Sequence, residues 1–354
     1  MAQKQTQRKQ DIVFLNILFC FLVVFIHVSS EVVLNMDHGR TMYWAVSTLS
    51  RLSGFAVYGF ILLSGVKLAL KGEGLHYGRF YLSRLVSIVL PYIFWVFVYY
   101  LYFCYRNVYT FSWWELGRFI LSGGLSAQFY FIVVLVQFYL LAPVWMLLFK
   151  RSNPAVVLPI CLMISIMGGS ALSEMLGLLF SGVTFPDIRL LFPRYLFFWA
   201  AGCMIGLHYS AFQEYLHRRW LSIMLLFAVT IFLNAWCGIF YPNATWTEQV
   251  HVLYAIAAIL FFYMASQLFA DKGAVLLRPF WVIDRSTYGI YLIHCLILFM
   301  TNNWLNSKGI GDLTVRFGYR ALTAYLGSIL LCLIWELMLK PLLLRLLKRE
   351  PADM

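Results

Sequence analysis

The chain has 354 residues, 62% of them hydrophobic and 12% charged, with a mean hydropathy of +0.79. Soluble domains carry about 25% charged residues, so a water-soluble globule is excluded: it could not cover this much apolar surface. The formal charge of +12 is no argument for a nucleic-acid partner, because the basic residues cluster in short segments between apolar runs, as cytoplasmic retention requires.

A polar start, Met1 to Gln10 with Lys4, Arg8 and Lys9, precedes the apolar stretch from Ile12 to Ser30. No small-x-small cleavage signal follows it, so an uncleaved first span is expected. Taking about 20 apolar residues per crossing, the expected spans are 12–31, 43–70, 82–104, 127–149, 154–180, 190–209, 219–240, 250–270, 284–304 and 319–347. The segment 105–126, with Trp113, Trp114 and Arg118, is expected to form an interfacial helix. The fold class is thus all-α: a polytopic integral membrane protein of about ten transmembrane helices, with both ends in the cytoplasm. It reads as one transmembrane domain over 1–354, with cytoplasmic tails at 1–10 and 348–354. With this layout, 18 of the 27 Lys and Arg fall inside and 9 outside, the sign the positive-inside rule demands. The seven cysteines lie in or beside apolar runs without a CxxC pair, which argues against disulfides and zinc and for small buried hydrophobes.

Ionisable groups inside a membrane are costly, so each marks a candidate site. In the first span Asn16, Cys20, His27 and Glu31 share one helix face. About 16 Å of rise separates Asn16 from His27, and Glu31, one turn beyond His27, can reach its ring and orient it. An imidazole at headgroup level, met by water or a neighbouring helix, fits the span equally well. In the ninth span Thr287, Tyr291 and His294 form a second polar face, as a site or as interhelical glue. Arg194, after Pro193, can grip an anionic substrate or snorkel. Arg79 and Arg84, at the cytoplasmic entry of span three, suit the phosphates of a nucleotide-like cofactor or lipid headgroups. Glu336 and Lys340 read as a structural i,i+4 pair, Asn234 as helix glue, and Glu174 as a weaker candidate. No P-loop, GxSxG or HExxH occurs, so those mechanisms have no motif support.

Several segments together resemble the membrane acyltransferase-3 family, and within it the surface-polysaccharide O-acetyltransferases. Span one from Phe14 to His27 resembles the family's first helix, and Tyr58 to Gly65 is similar to its second-helix "FF-x-x-SG" segment. Arg79 to Tyr92 is similar to the basic entry of helix three, and Gln128 to Pro143 to its "HLWFL…P" helix. Ser286 to His294 resembles the "SYGIYLIH" segment, the most specific match. Asn16 stands where the family has Arg, Ser83 and Ser87 replace basic residues, and Gln128 replaces a frequent His.

The resemblance implies acyl transfer across a bacterial cytoplasmic membrane. The donor is a cytosolic acyl-CoA, often acetyl-CoA; the acceptor is a hydroxyl of a cell-surface glycan or its lipid-linked precursor. The expected partners are acyl-CoA, that acceptor and the bilayer, with neither nucleic acid nor a metal cofactor. In this reading His27, oriented by Glu31, is the general base, and Tyr291 and His294 line the reaction cavity. Arg84, Arg79 and Asn16 hold the acyl-CoA, while Arg194, Gln128 and Tyr130 meet the acceptor. Two other readings use the same polar faces: a transporter or flippase of a glycan or lipid intermediate, and a catalytically weakened scaffold, for which Asn16 is the motive.

Overall fold

The computed structural model describes residues 2–71, 76–168, 190–270 and 274–340. Among these every regular element is helical, because each apolar run must satisfy its own backbone groups where water is absent. In chain order the first nine helices are α1 (Ala2–Asn35), α2 (Thr41–Ser53), α3 (Phe55–Ala69), α4 (Tyr77–Arg84), α5 (Leu90–Tyr105), α6 (Trp113–Ser122), α7 (Tyr130–Leu140), α8 (Ala142–Arg151) and α9 (Pro154–Met167). Then follow α10 (Leu196–Leu207), α11 (Tyr209–Arg218), α12 (Trp220–Phe240), α13 (Thr247–Ala270), α14 (Ala274–Ser307), α15 (Leu313–Leu322) and α16 (Ser328–Ile334).

Among the described residues seven stretches are long and apolar enough to cross a membrane, or up to nine if each of two bent pairs is one span. The bent pairs are α7 with α8, at 62°, and Phe192–Leu207 with α11, at 101°. The first bend falls at Leu141, just before Pro143, whose ring nitrogen cannot continue the hydrogen-bond ladder. The expected span 154–180 appears as α9 and then passes outside the described residues. Glu174 lies there too. Within 105–126 a helix does form, as α6; its Trp113 and Trp114 stand exposed and line a cavity of about 580 Å³ with Gln137, Leu190 and Leu191.

The chain divides into two compact units, Met1–Ala56 with Ser222–Met354, and Val57–Leu221. In the first unit α1 lies against α14. Asn16 donates to Asp284 at 2.8 Å, Cys20 bonds the Thr287 carbonyl at 3.4 Å, and the His27 and His294 rings meet at 5.1 Å. The offset between partners stays at 267 or 268 residues, so the two helices run parallel. The last span returns antiparallel to α1: Arg316 meets Glu31, Arg320 meets Val28, and Tyr325 donates to the Phe21 carbonyl. A π turn at Thr323–Gly327 separates α15 from α16. Phe55 stacks on Phe262 at 5.3 Å and meets Phe19 edge-on at 5.8 Å, fixing α1 and α13 to the start of α3.

In the second unit α3 and α10 approach closely enough that their contact tolerates only hydrogen at three positions. A Cβ at Gly202 would overlap the Leu62 carbonyl oxygen, one at Gly65 would lie 2.7 Å from the Trp199 oxygen, and one at Gly206 2.6 Å from Ala69 Cβ. Gly202 and Gly206 form a small-xxx-small pair, a device membrane helices use to gain dispersion contact where lipid removes the hydrophobic drive. Trp199, fully buried, stacks on Phe138 at 4.7 Å.

Candidate active site

Two helices of the first unit each carry a polar face, and the parallel register turns the faces toward one another. His294 is fully buried, and its Nδ1 lies 3.1 Å from the Ile290 carbonyl one turn back. A carbonyl only accepts, so Nδ1 holds the proton and Nε2 keeps its lone pair. The Sγ of Cys295 sits 3.3 Å from that Nε2. His27, half-buried, faces His294 with ring planes inclined at 47°. Tyr291 is buried with its ring 6.1 Å from His294. Of the residues expected to do chemistry, the structure therefore brings His27, Tyr291 and His294 together.

Glu31 does not orient His27. Its Oε1 accepts from Arg316 Nε at 2.7 Å and lies 2.6 Å from Arg316 Nη2, while Oε2 is 3.5 Å from Arg320 Nη1. Two guanidinium groups outcompete one imidazole for a carboxylate, because each offers a permanently charged fork of donors. Arg316 and Arg320 are 7% and 3% exposed.

Arg320 is the residue that sequence reasoning missed. Its Nη2 donates to the His27 carbonyl at 2.7 Å and to Ser30 Oγ at 3.1 Å, and its Nε to the Val28 carbonyl at 3.0 Å. Its Nη1 donates to Asn302 Oδ1 on α14 at 2.7 Å. One side chain thus clips α1, at the backbone of His27, to the helix that carries His294. The available signal was the i,i+4 repeat of Arg316 and Arg320 on one face at the start of an apolar run, opposite Asn302 and Asn306.

The residues expected on the cofactor divide. Asn16 donates to Asp284 on the neighbouring helix at 2.8 Å. Arg79 is exposed on α4. Arg84 ends α4, immediately before a π turn at Leu85–Val89. Pro91, whose ring crowds the carbonyl four residues back, accounts for that turn. The Arg84 guanidinium lies 4.8 Å from the Tyr139 ring and 5.2 Å from the Phe80 ring, beside an edge-on pair, and its Nε is buried without a hydrogen-bond partner. Lys71 places its ammonium 6.0 Å over the same Phe80 ring. Burial, and then the like charge of Arg84, hold the Lys71 pKa below that of an ordinary lysine. Two neighbouring cations with an orphaned donor are a candidate anion cradle within the second unit.

The three residues expected on the acceptor do not form one set. Gln128 is buried, accepting from Ser126 Oγ at 2.6 Å and donating to Tyr99 Oη at 3.0 Å. These two bonds close the turn before α7. Tyr130 hydrogen-bonds Tyr195, beside the half-buried Arg194. Among weaker signals, Lys340 pairs with Glu336 at 2.9 Å as anticipated. Asn234 is glue: its Oδ1 accepts from Arg51 Nε at 3.0 Å, and Arg51 Nη2 donates to the Thr247 carbonyl at 3.1 Å. All seven cysteines are free, and five are buried.

A parallel helix pair that holds two imidazoles inside an apolar bundle suits proton transfer to and from a reacting hydroxyl. No curated protein and no solved structure gives a significant match to the chain. The model of the acyltransferase-3 family, described as an acyltransferase domain, matches residues 12–339, nearly the whole chain. The chain belongs to that family and is a multi-pass membrane acyltransferase.

Proposed function

We propose that the protein transfers an acyl group, acetyl in the simplest case, from a cytosolic acyl-CoA to a hydroxyl of a cell-surface glycan or its lipid-linked precursor. The observation that carries this reading is the His27–His294 pair, 5.1 Å between ring centroids, on two parallel helices. His27 is the general base. It takes the proton from the acceptor hydroxyl as the oxygen attacks the thioester carbonyl. The new C–O bond forms, the C–S bond breaks, and the departing thiolate takes up the proton that the imidazole gives back. His294, its ring fixed by the hydrogen bond from Nδ1 to the Ile290 carbonyl, walls the site beside His27, and the Tyr291 hydroxyl serves the developing oxyanion. General-base help of this kind accelerates reactions by about 100- to 10,000-fold.

The acyl-CoA is held through its phosphates by Arg84 and Lys71. A phosphate fits there because it would pair with the orphaned Arg84 Nε and relieve the repulsion between the two cations. Placing this cradle in the cytoplasm requires the N-in, C-in layout of about ten spans in a bacterial cytoplasmic membrane. The parallel run of α1 and α14 and the antiparallel return of the last span support that layout, as does the 18-to-9 division of Lys and Arg.

Mass spectrometry of surface glycans from cells with and without the gene tests the reading. An acyl-sized mass lost with the gene supports it and narrows the acceptor. Identical glycans, together with gene-dependent movement of a lipid-linked sugar across vesicles lacking acyl-CoA, would replace it with a transporter.

A further inference from the structure

His27, His294 and Cys295 each offer one ligand atom, and these atoms all lie within 4.8 Å of one another. We propose that they form a binding site for a soft divalent cation, zinc above all, whose occupation shuts off the transfer reaction. The consequence for transfer rests on the function proposed above; the binding itself does not.

The ligand chemistry selects the metal. Two imidazole nitrogens and one thiolate suit zinc, whereas magnesium and calcium call for oxygen. The nearby Glu31 is engaged by Arg316 and supplies no oxygen. Zinc–nitrogen bonds of about 2.0 Å and zinc–sulfur bonds of about 2.3 Å put tetrahedral ligand atoms roughly 3.3–3.6 Å apart. The Cys295 Sγ and His294 Nε2 already stand at 3.3 Å. The widest pair must close by about 1 Å, which asks for a side-chain rotation and not for backbone movement.

The surroundings of His294 point the same way. A metal-binding histidine almost always donates its second ring N–H to a carbonyl or carboxylate, which fixes the tautomer and aims the free nitrogen. His294 does this with the Ile290 carbonyl at 3.1 Å. His27 makes no ring hydrogen bond to another described residue, so its nitrogen is available. On binding, the Cys295 thiol loses its proton to solvent and the metal takes the lone pairs of both imidazoles. Those are the lone pairs a general base needs.

The test is a cobalt titration of the full chain in lipid nanodiscs without acyl-CoA, followed by zinc displacement. We expect a thiolate-to-cobalt charge-transfer absorption that zinc removes. It should vanish in Cys295→Ser, persist in the control Cys332→Ser, and need at least ~10-fold more cobalt in His27→Gln. Thermal unfolding profiles establish that the variants are folded. A band of wild-type intensity in Cys295→Ser, or no cobalt binding by the folded wild type, would overturn the site. Cobalt binding by a protein that transfers nothing, with or without zinc, would uphold the site and count against the proposed reaction. Transfer that continues while the band shows the site filled would overturn the inhibitory role.

Discussion

Arg320, on the last span, donates a 2.7 Å hydrogen bond to the backbone carbonyl of His27, on the first. Three further bonds, to the Val28 carbonyl, Ser30 Oγ and Asn302, make the same guanidinium a clip between the two helices. Small misplacements of a catalytic group can cost about 100-fold in rate. Arg320→Gln in the folded protein should therefore lower kcat by roughly 10- to 100-fold with the KM for acyl-CoA nearly unchanged. Arg320→Lys, which restores charge without the fork, should recover little of it. Steady-state kinetics in nanodiscs separate the two constants; a rise confined to KM would show that Arg320 does something other than position His27.

Glu31 gives a sharper contrast. If it oriented His27, Glu31→Gln would depress kcat and leave stability alone. The ion pairs predict the reverse emphasis, since removal of Glu31 leaves Arg316 and Arg320 as two cations, 7% and 3% exposed, without a counter-charge. Breaking a buried ion pair costs about 3–5 kcal/mol. Glu31→Ala should unfold at markedly lower temperature or denaturant than wild type, and adding Arg316→Gln should return part of the loss. Unfolding curves of the single and double variants decide the matter.

The two polar faces were legible in the sequence because helical periodicity puts Asn16, Cys20 and His27, and separately Thr287, Tyr291 and His294, in line. Their opposition was not, because it depends on a pairing 267 residues apart. The same distance hid the partner of Glu31. Periodicity offers only neighbours one turn away, so His27 was the nearest partner, and Arg316, 285 residues on, lay beyond its reach. Arg84 was legible from its place at a cytoplasmic entry. Its contact with the Phe80–Tyr139 ring pair was not, because Tyr139 sits on another helix.

The cradle makes a pH prediction. Lys71 carries a pKa below its ordinary value, set by burial and by Arg84. Its cation therefore neutralises at lower pH than a free lysine would. The KM for acyl-CoA should rise on the alkaline side before ordinary lysines titrate. Arg84→Ala should raise KM about 10-fold or more at neutral pH, the scale of a charge-assisted hydrogen bond of about 1.5–3 kcal/mol. It should also move the alkaline rise to higher pH, because a like charge has gone. A KM–pH profile unaffected by Arg84→Ala would remove Lys71 from the cofactor site.

The close crossing of α3 and α10 makes a packing prediction. Gly202→Val forces a branched side chain into the Leu62 carbonyl and should abolish stable folding, whereas Gly311→Val, which meets open space, should leave it intact. Yield of monodisperse protein and its melting temperature report the difference.

The central claim, that His27 moves the proton, is tested most directly by transfer of labelled acetyl from acetyl-CoA to isolated surface glycan by purified His27→Gln protein of wild-type melting temperature. The account predicts a loss of at least ~100-fold in transfer rate with acyl-CoA binding retained. A rate within about twofold of wild type would contradict it.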